Sequence, residues 1–120
     1  ESRMAVQKWT VVAGDGRNYK LVKWTDLEAN DTGQPFNCSE YSDKTVQIEG
    51  SDLTSGITVQ GTLDPAESAY RTLNDPQGTA LSAITAAKIE NVLEHCHWIR
   101  PSAGASVSGG TVFLLLASMR

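Results

Sequence analysis

The sequence predicts an all-β protein: a single antiparallel β-sandwich, jelly-roll or immunoglobulin-like, with at most one short helix. Three observations carry this. At least six short stretches rich in β-branched and aromatic residues are separated by Gly, Pro, Asn and Asp turns. Several of them alternate apolar and polar residues, the mark of antiparallel strands with one wet face. Only residues 85–95 carry apolar residues at helical spacing. At 120 residues, one domain is expected, burying roughly two-thirds of its unfolded surface.

The elements follow in order. "MAVQKWTVV" (4–12) reads as a strand ending at the turn "AGDG". "NYKLVKWTDL" (18–27) alternates, with Tyr19, Leu21 and Lys23 on one face and Lys20, Val22 and Trp24 on the other. "EANDTGQP" (28–35) is a loop. "KTVQIEG" (44–50) and "GITVQGTL" (56–63) point Val46, Ile48, Ile57 and Val59 inward, and "SDLTS" between them can close a hairpin. Two Asp-Pro steps in residues 64–81 each exclude helix at the Asp and leave two turns around a short strand, Tyr70–Leu73. "TAAKIENVLEH" (85–95) predicts one or two helical turns, with Thr85 as N-cap and Ile89, Val92 and Leu93 on one side. "CHWIRP" predicts a strand stopped by Pro101, followed by a small-residue loop (102–110) and the last strand, "TVFLLLAS" (111–118). Residues 1–17 form an N-terminal segment and first strand, residues 18–120 the sandwich body, within one domain.

Composition narrows the partners. Net charge is −4 and the ten basic residues are scattered, so no patch for nucleic acid is expected. No apolar stretch reaches the 18 or more residues of a membrane helix, and no membrane partner is expected. Cys38 and Cys96, 58 residues apart, are expected to be free, partly buried thiols.

The candidate chemistry is thin. In a strand, His95 and His97 of "HCHW" share one face and Cys96 takes the other. Two histidines supply two metal ligands, but no third or fourth follows at a ligand spacing, so no metal and no cofactor are expected. Only Cys38 could approach the histidines as a nucleophile, and nothing in "FNCSEY" marks an activated thiol. The acidic loops 28–33 and 49–56 do not fit a twelve-residue calcium loop and read as solvated turns. "GDG" (14–16) is too short for a phosphate loop. Trp9, Trp24 and Trp98 could form a sugar-stacking platform, but each lies within an expected strand and reads as packing. No catalytic residue is assigned.

"TVFLLLA" is apolar on both faces: Val112, Leu114 and Leu116 one way, Phe113, Leu115 and Ala117 the other. With almost no helix to cover the second face, Phe113, Leu114, Leu115 and Leu116 are candidates for a subunit interface.

Several motifs together carry a resemblance. "VKWTDLEANDTGQPF" (22–36), "YSDKTVQIEG" (41–50), "TVQGTLD" (58–64), "TLNDPQGTALSAITAAKIENVLEHCHWIRPSAG" (72–104) and "GGTVFLLLASMR" (109–120) resemble small virion proteins of tailed bacteriophages, the head decoration or cement proteins. Relatives carry Asp-Gly and an aromatic where this chain has "DPAESAY", and Tyr or Phe at Trp98. The resemblance implies a non-enzymatic β-sandwich that binds the outside of the expanded head. Its partners would be the major capsid protein and further copies of itself, as a dimer or trimer. It would be made in the bacterial cytoplasm and end on the outer capsid surface. "ESRMAVQKW" could then be a capsid-binding arm adding to a sheet edge, with Arg3, Met4, Val6, Lys8 and Trp9 as contacts. A phage tail, receptor-binding or carbohydrate-binding sandwich is the alternative.

Overall fold

The computed structural model describes residues 5–15, 17–64 and 69–119. These form two packed sheets, and no helix occurs among them. The first sheet runs β1 (Val6–Gln7), β4 (Thr32–Gly33), β10 (Trp98–Ala103), β7 (Ile57–Thr62) and β8 (Arg71–Thr72), with β5 (Phe36–Asn37) also on β10. The second runs β2 (Trp9–Ala13), β3 (Tyr19–Leu27), β11 (Ser108–Met119), β6 (Tyr41–Asp52) and β9 (Lys88–Asn91). The all-β sandwich expected from the sequence is the fold observed, and the helix allowed for is absent.

Alternation decides the core. Val22 and Trp24 on β3, Val46 and Ile48 on β6, and Val112, Leu114 and Leu116 on β11 form one inner wall. Ile57, Val59, Ile99 and Ala103 form the facing wall, and loop residues Leu53, Leu81 and Val107 close the ends. β2 and β3 pair as a hairpin across the turn expected at "AGDG". Its turn is held by Asp15, whose carboxylate accepts the backbone N–H groups of Arg17 (2.8 Å) and Asn18 (3.0 Å). Those two bonds hold the carboxyl below its ordinary range. The Asn-Asp-Pro-Gln-Gly turn also forms as read, with Asp75 Oδ1 accepting the N–H groups of Gln77 and Thr79, both at 2.9 Å.

Four expectations are corrected. The one strand expected over 4–12 is two among the described residues, β1 in the first sheet and β2 in the second. The 44–50 and 56–63 stretches are strands but not a hairpin: β6 pairs with β11 and β9, and β7 with β10 and β8. Inward Val46 and Ile48 face inward Ile57 and Val59 from opposite walls, an arrangement with the same local pattern as a hairpin. The crossing turns at Gly56 (φ 80°), where an added Cβ would lie 2.3 Å from the carbonyl carbon of Ala83. Gly56→Ala is therefore expected to cost about 3 kcal/mol, from left-handed strain plus the clash. Gly78→Ala, with φ 87° but nothing within 4 Å, is expected to cost about 1 kcal/mol. Urea denaturation of the two variants separates the contributions, and equal losses would refute the clash.

The helix expected at 85–95 is instead β9, on the edge of β6 from Thr45↔Asn91 to Ile48↔Lys88. A two-turn helix carries its own nucleation cost, whereas the open ladder of β6 offers partners at once. Val92 is buried, but Ile89 and Leu93 are exposed, so the three share no face. Finally, Pro101 does not stop its strand: β10 continues to Ala103, pairing throughout with β7. On the other side β5 pairs at Trp98 and Ile99 and β4 at Ser102. Pro101 falls in the gap between them, a position that spares a proline without an N–H.

Candidate interaction surface

Of the residues that suggested chemistry, His95 and Cys96 border one open pocket of about 360 Å³ together with Glu94 and Arg71. His95 and His97 lie just before β10, exposed on either side of buried Cys96. The backbone here is tied down: His97 N–H donates to Thr62 O (3.2 Å) and Cys38 N–H to His97 O (2.7 Å). Both cysteines are free and buried, and the Cys38 thiol donates to Cys96 O at 3.3 Å. The contact with Cys96 and burial push the Cys38 thiol up, and the same contact holds the Cys96 thiol below its ordinary range. Among the described residues no group of three or more His, Cys, Asp or Glu is placed to hold a metal ion. Nor do the three tryptophans share a face: Trp98 is half-buried on the outward side of β10 with Arg100 and Ser102, and the other two pair in the second sheet. Trp24 is buried, with its indole N–H on Gln34 O at 2.9 Å, and Trp9 packs edge-on to Phe36 at 4.9 Å between centroids.

The acidic loop 28–33 proves structural rather than solvated. Asp31 is fully buried. Its Oδ1 accepts Ala5 N–H (3.1 Å), and its Oδ2 accepts Glu28 N–H (3.0 Å) and the Gln7 amide (3.0 Å). Both oxygens thus face N–H donors, and the carboxylate pins the N-terminal segment to the body. In the second acidic loop Asp52 caps Thr54 through its N–H and hydroxyl, which hold the Asp52 carboxyl low.

What the molecule presents is surface, and its two outer faces differ. The first sheet turns Gln60, Arg100 and Ser102 outward, with Arg100 bonded to Gln60 at 3.0 Å and stacked 3.9 Å over the Tyr70 ring. The second sheet turns out Leu21, Phe113, Leu115 and Ile89, which with Thr45 and Gln47 line an open groove of about 320 Å³. Leu115 is 38% exposed, Tyr19 43% and Ile89 62%.

The third surface is the N-terminal edge. β1 ends the first sheet and β2 ends the second, so residues 5–13 border the sandwich on both layers. Val6 is 62% exposed, and Val11 and Val12 are exposed beside a register shift against β3.

These placements sort the sequence-derived candidates. Arg3 and Met4 lie outside the described residues. Val6 and Lys8 are exposed on the edge, whereas Trp9 is half-buried and turned toward Phe36. Leu114 and Leu116 are wholly inside the core, so neither is open to a partner subunit; Phe113 and Leu115 are on the outer face. Sequence reasoning missed Leu21 and Ile89 as members of that face. Leu21 was legible from its alternation against Val22, while the helical reading hid Ile89.

No protein-family model matches the sequence, and no curated protein matches it in sequence. Among solved structures, the SPBc2 prophage-derived protein YomS is similar with a TM-score of 0.65 at 14% identity, over 91% of this chain and 100% of that one. A cupin domain from Bordetella pertussis Tohama I is similar with a TM-score of 0.52 at 12% identity, over 98% and 100%. At these identities the likeness establishes the fold: an all-β sandwich shared with a prophage-derived protein and compatible with the cupin and jelly-roll architecture.

Proposed function

We propose that this chain is a structural protein of a tailed-phage particle, a decoration protein that binds the outer surface of the head and stabilises it. The observation that carries the reading is the N-terminal edge, where both sheets end and Val6, Val11 and Val12 are exposed. A bordering strand with exposed valines can accept or add to a strand of another protein, main-chain bonds giving affinity and side chains specificity. The sequence resemblance to head decoration proteins and the prophage origin of a protein of similar fold support the same class. Many weak contacts repeated over a symmetric shell are sufficient for such a role, and it needs no reactive site.

Quantitative mass spectrometry of purified particles tests the assignment. Copy numbers comparable to the major capsid protein are expected; a few copies per particle would favour a tail component, and absence would end the reading. The edge is tested with Val11→Lys/Val12→Asp. Both positions are exposed, so folding stability should change by about 0.5 kcal/mol or less. Binding to expanded heads should fall at least about tenfold by co-sedimentation. Undiminished binding would place the capsid contact elsewhere.

A further inference from the structure

We infer that the outer face of β3, β11 and β6 is a self-association surface, pairing two copies face to face about a two-fold axis that runs along β11. This does not depend on the capsid-binding reading, which uses a different surface.

The face is apolar at its centre and oppositely charged on its flanks. Phe113 and Leu115 stand on β11. Beside them, β3 carries Leu21 and Lys23 in register with Leu115 and Phe113. On the other side, β6 carries Gln47 opposite Phe113 and Glu49 opposite Thr111, with the Gln47 amide bonded to Glu49 at 2.8 Å. Asp43, opposite Ala117, is also on β6. Lys23 is thus on one flank and Glu49 and Asp43 on the other, with Asp26 also exposed at the end of β3.

That antisymmetry selects the partner. A two-fold axis along β11 lays β3 of one copy over β6 of the other, so each Lys23 meets the Gln47–Glu49 pair of its counterpart, twice per dimer. Phe113 and Leu115 then face their own equivalents near the axis, and the strands of the two copies are aligned, as sheets in sandwiches pack. An axis across the strands would instead stack acidic β6 on acidic β6, which costs stability. Size agrees as well. β3, β11 and β6 have 9, 12 and 12 residues, and at about 3.3 Å per residue and about 4.8 Å between strands they give about 1,050 Å² over both copies. That clears the about 1,000 Å² expected of a specific interface, at its weaker end. The first sheet's outer face is mixed instead, with Trp98 and Tyr70 beside Gln60, Arg100 and Ser102.

The test is light scattering and sedimentation velocity on the purified chain across a micromolar concentration series. The wild-type mass should rise from 12.9 kDa to twice that value with concentration. Leu115→Lys, at a position already 38% exposed, should remain monomeric with an unchanged circular dichroism spectrum. Ile89→Lys repeats the test at the groove's edge should the first variant fold poorly. Lys23→Glu and Glu49→Lys should each weaken pairing at least about tenfold, and the double variant should restore it. A monomeric wild type, a three-fold mass, full dimerisation of folded Leu115→Lys, or no rescue by the double charge exchange would each overturn the inference.

Discussion

Asp31→Ala is expected to lower folding stability by about 3 kcal/mol and to free residues 5–7 first. Asp31 is fully buried and accepts hydrogen bonds from Ala5 N–H, Glu28 N–H and the Gln7 amide. Removing it leaves those half-buried donors without their acceptor, at up to about 1–3 kcal/mol for each one left unsatisfied, offset by water reaching them and by relief of burying the carboxylate itself. The same residue joins three segments. Its own N–H donates to Glu28 O, its carbonyl accepts from Ala103, and the next residue, Thr32, bonds Ala5 O as β1 pairs with β4. Asp31→Asn should recover part of the loss, because one oxygen remains to accept. Urea denaturation gives the stability change, and hydrogen exchange localises it. A loss below about 1 kcal/mol, or exchange protection at 5–7 equal to wild type, would show that β1 is held by its strand pairing alone. Because β1 is one half of the proposed capsid-binding edge, head binding should weaken along with that protection.

Leu114→Ala is expected to cost about 3–4 kcal/mol, whereas Leu115→Ala should cost under about 1 kcal/mol. The two residues are neighbours of identical type on one strand. Leu114 sits between Val22 on β3 and Val46 on β6, without solvent exposure, in the centre of the inner wall. Truncation there loses the transfer free energy of the side chain and leaves a cavity that β-sheet neighbours on both sides cannot collapse to fill. Leu115 lies between Leu21 and Thr45 on the open face. Thermal and urea denaturation of the monomeric chain at low concentration measures both, free of any contribution from self-association. Equal losses would mean that the outer face is packed as tightly as the core.

The contrast shows where legibility ended. Alternation along "TVFLLLA" and "YKLVKW" divides each strand into two faces, and the structure keeps those divisions: Val22, Trp24, Val112, Leu114 and Leu116 inside, Leu21, Phe113 and Leu115 outside. The pattern could not say which apolar set of the last strand would be the inner one. That depended on where β3 and β6 pair with it.

Asp31 was hidden for a related reason. In "EANDTG" it has the composition of a solvated turn, and its burial follows from the N-terminal segment arriving from 26 residues away to donate to it. Ile89 was hidden by a helical spacing that a free β-strand edge outcompeted.

By itself the sequence determined most of the strands, the division of each into two faces, and the Asp15 and Asp75 turns. These are local properties: side-chain sterics and the two-residue period act on neighbouring residues and need no partner to express them. The tertiary structure alone decided that β6 and β7 belong to opposite sheets, that 88–91 is a strand, that Pro101 falls in a gap between strands, and that Asp31 is a buried anchor. Those are choices among partners distant in sequence. Val46, Ile48, Ile57 and Val59 bury their side chains equally well in one wall or in two facing walls, so only the free energy of the whole packed sandwich separates the alternatives.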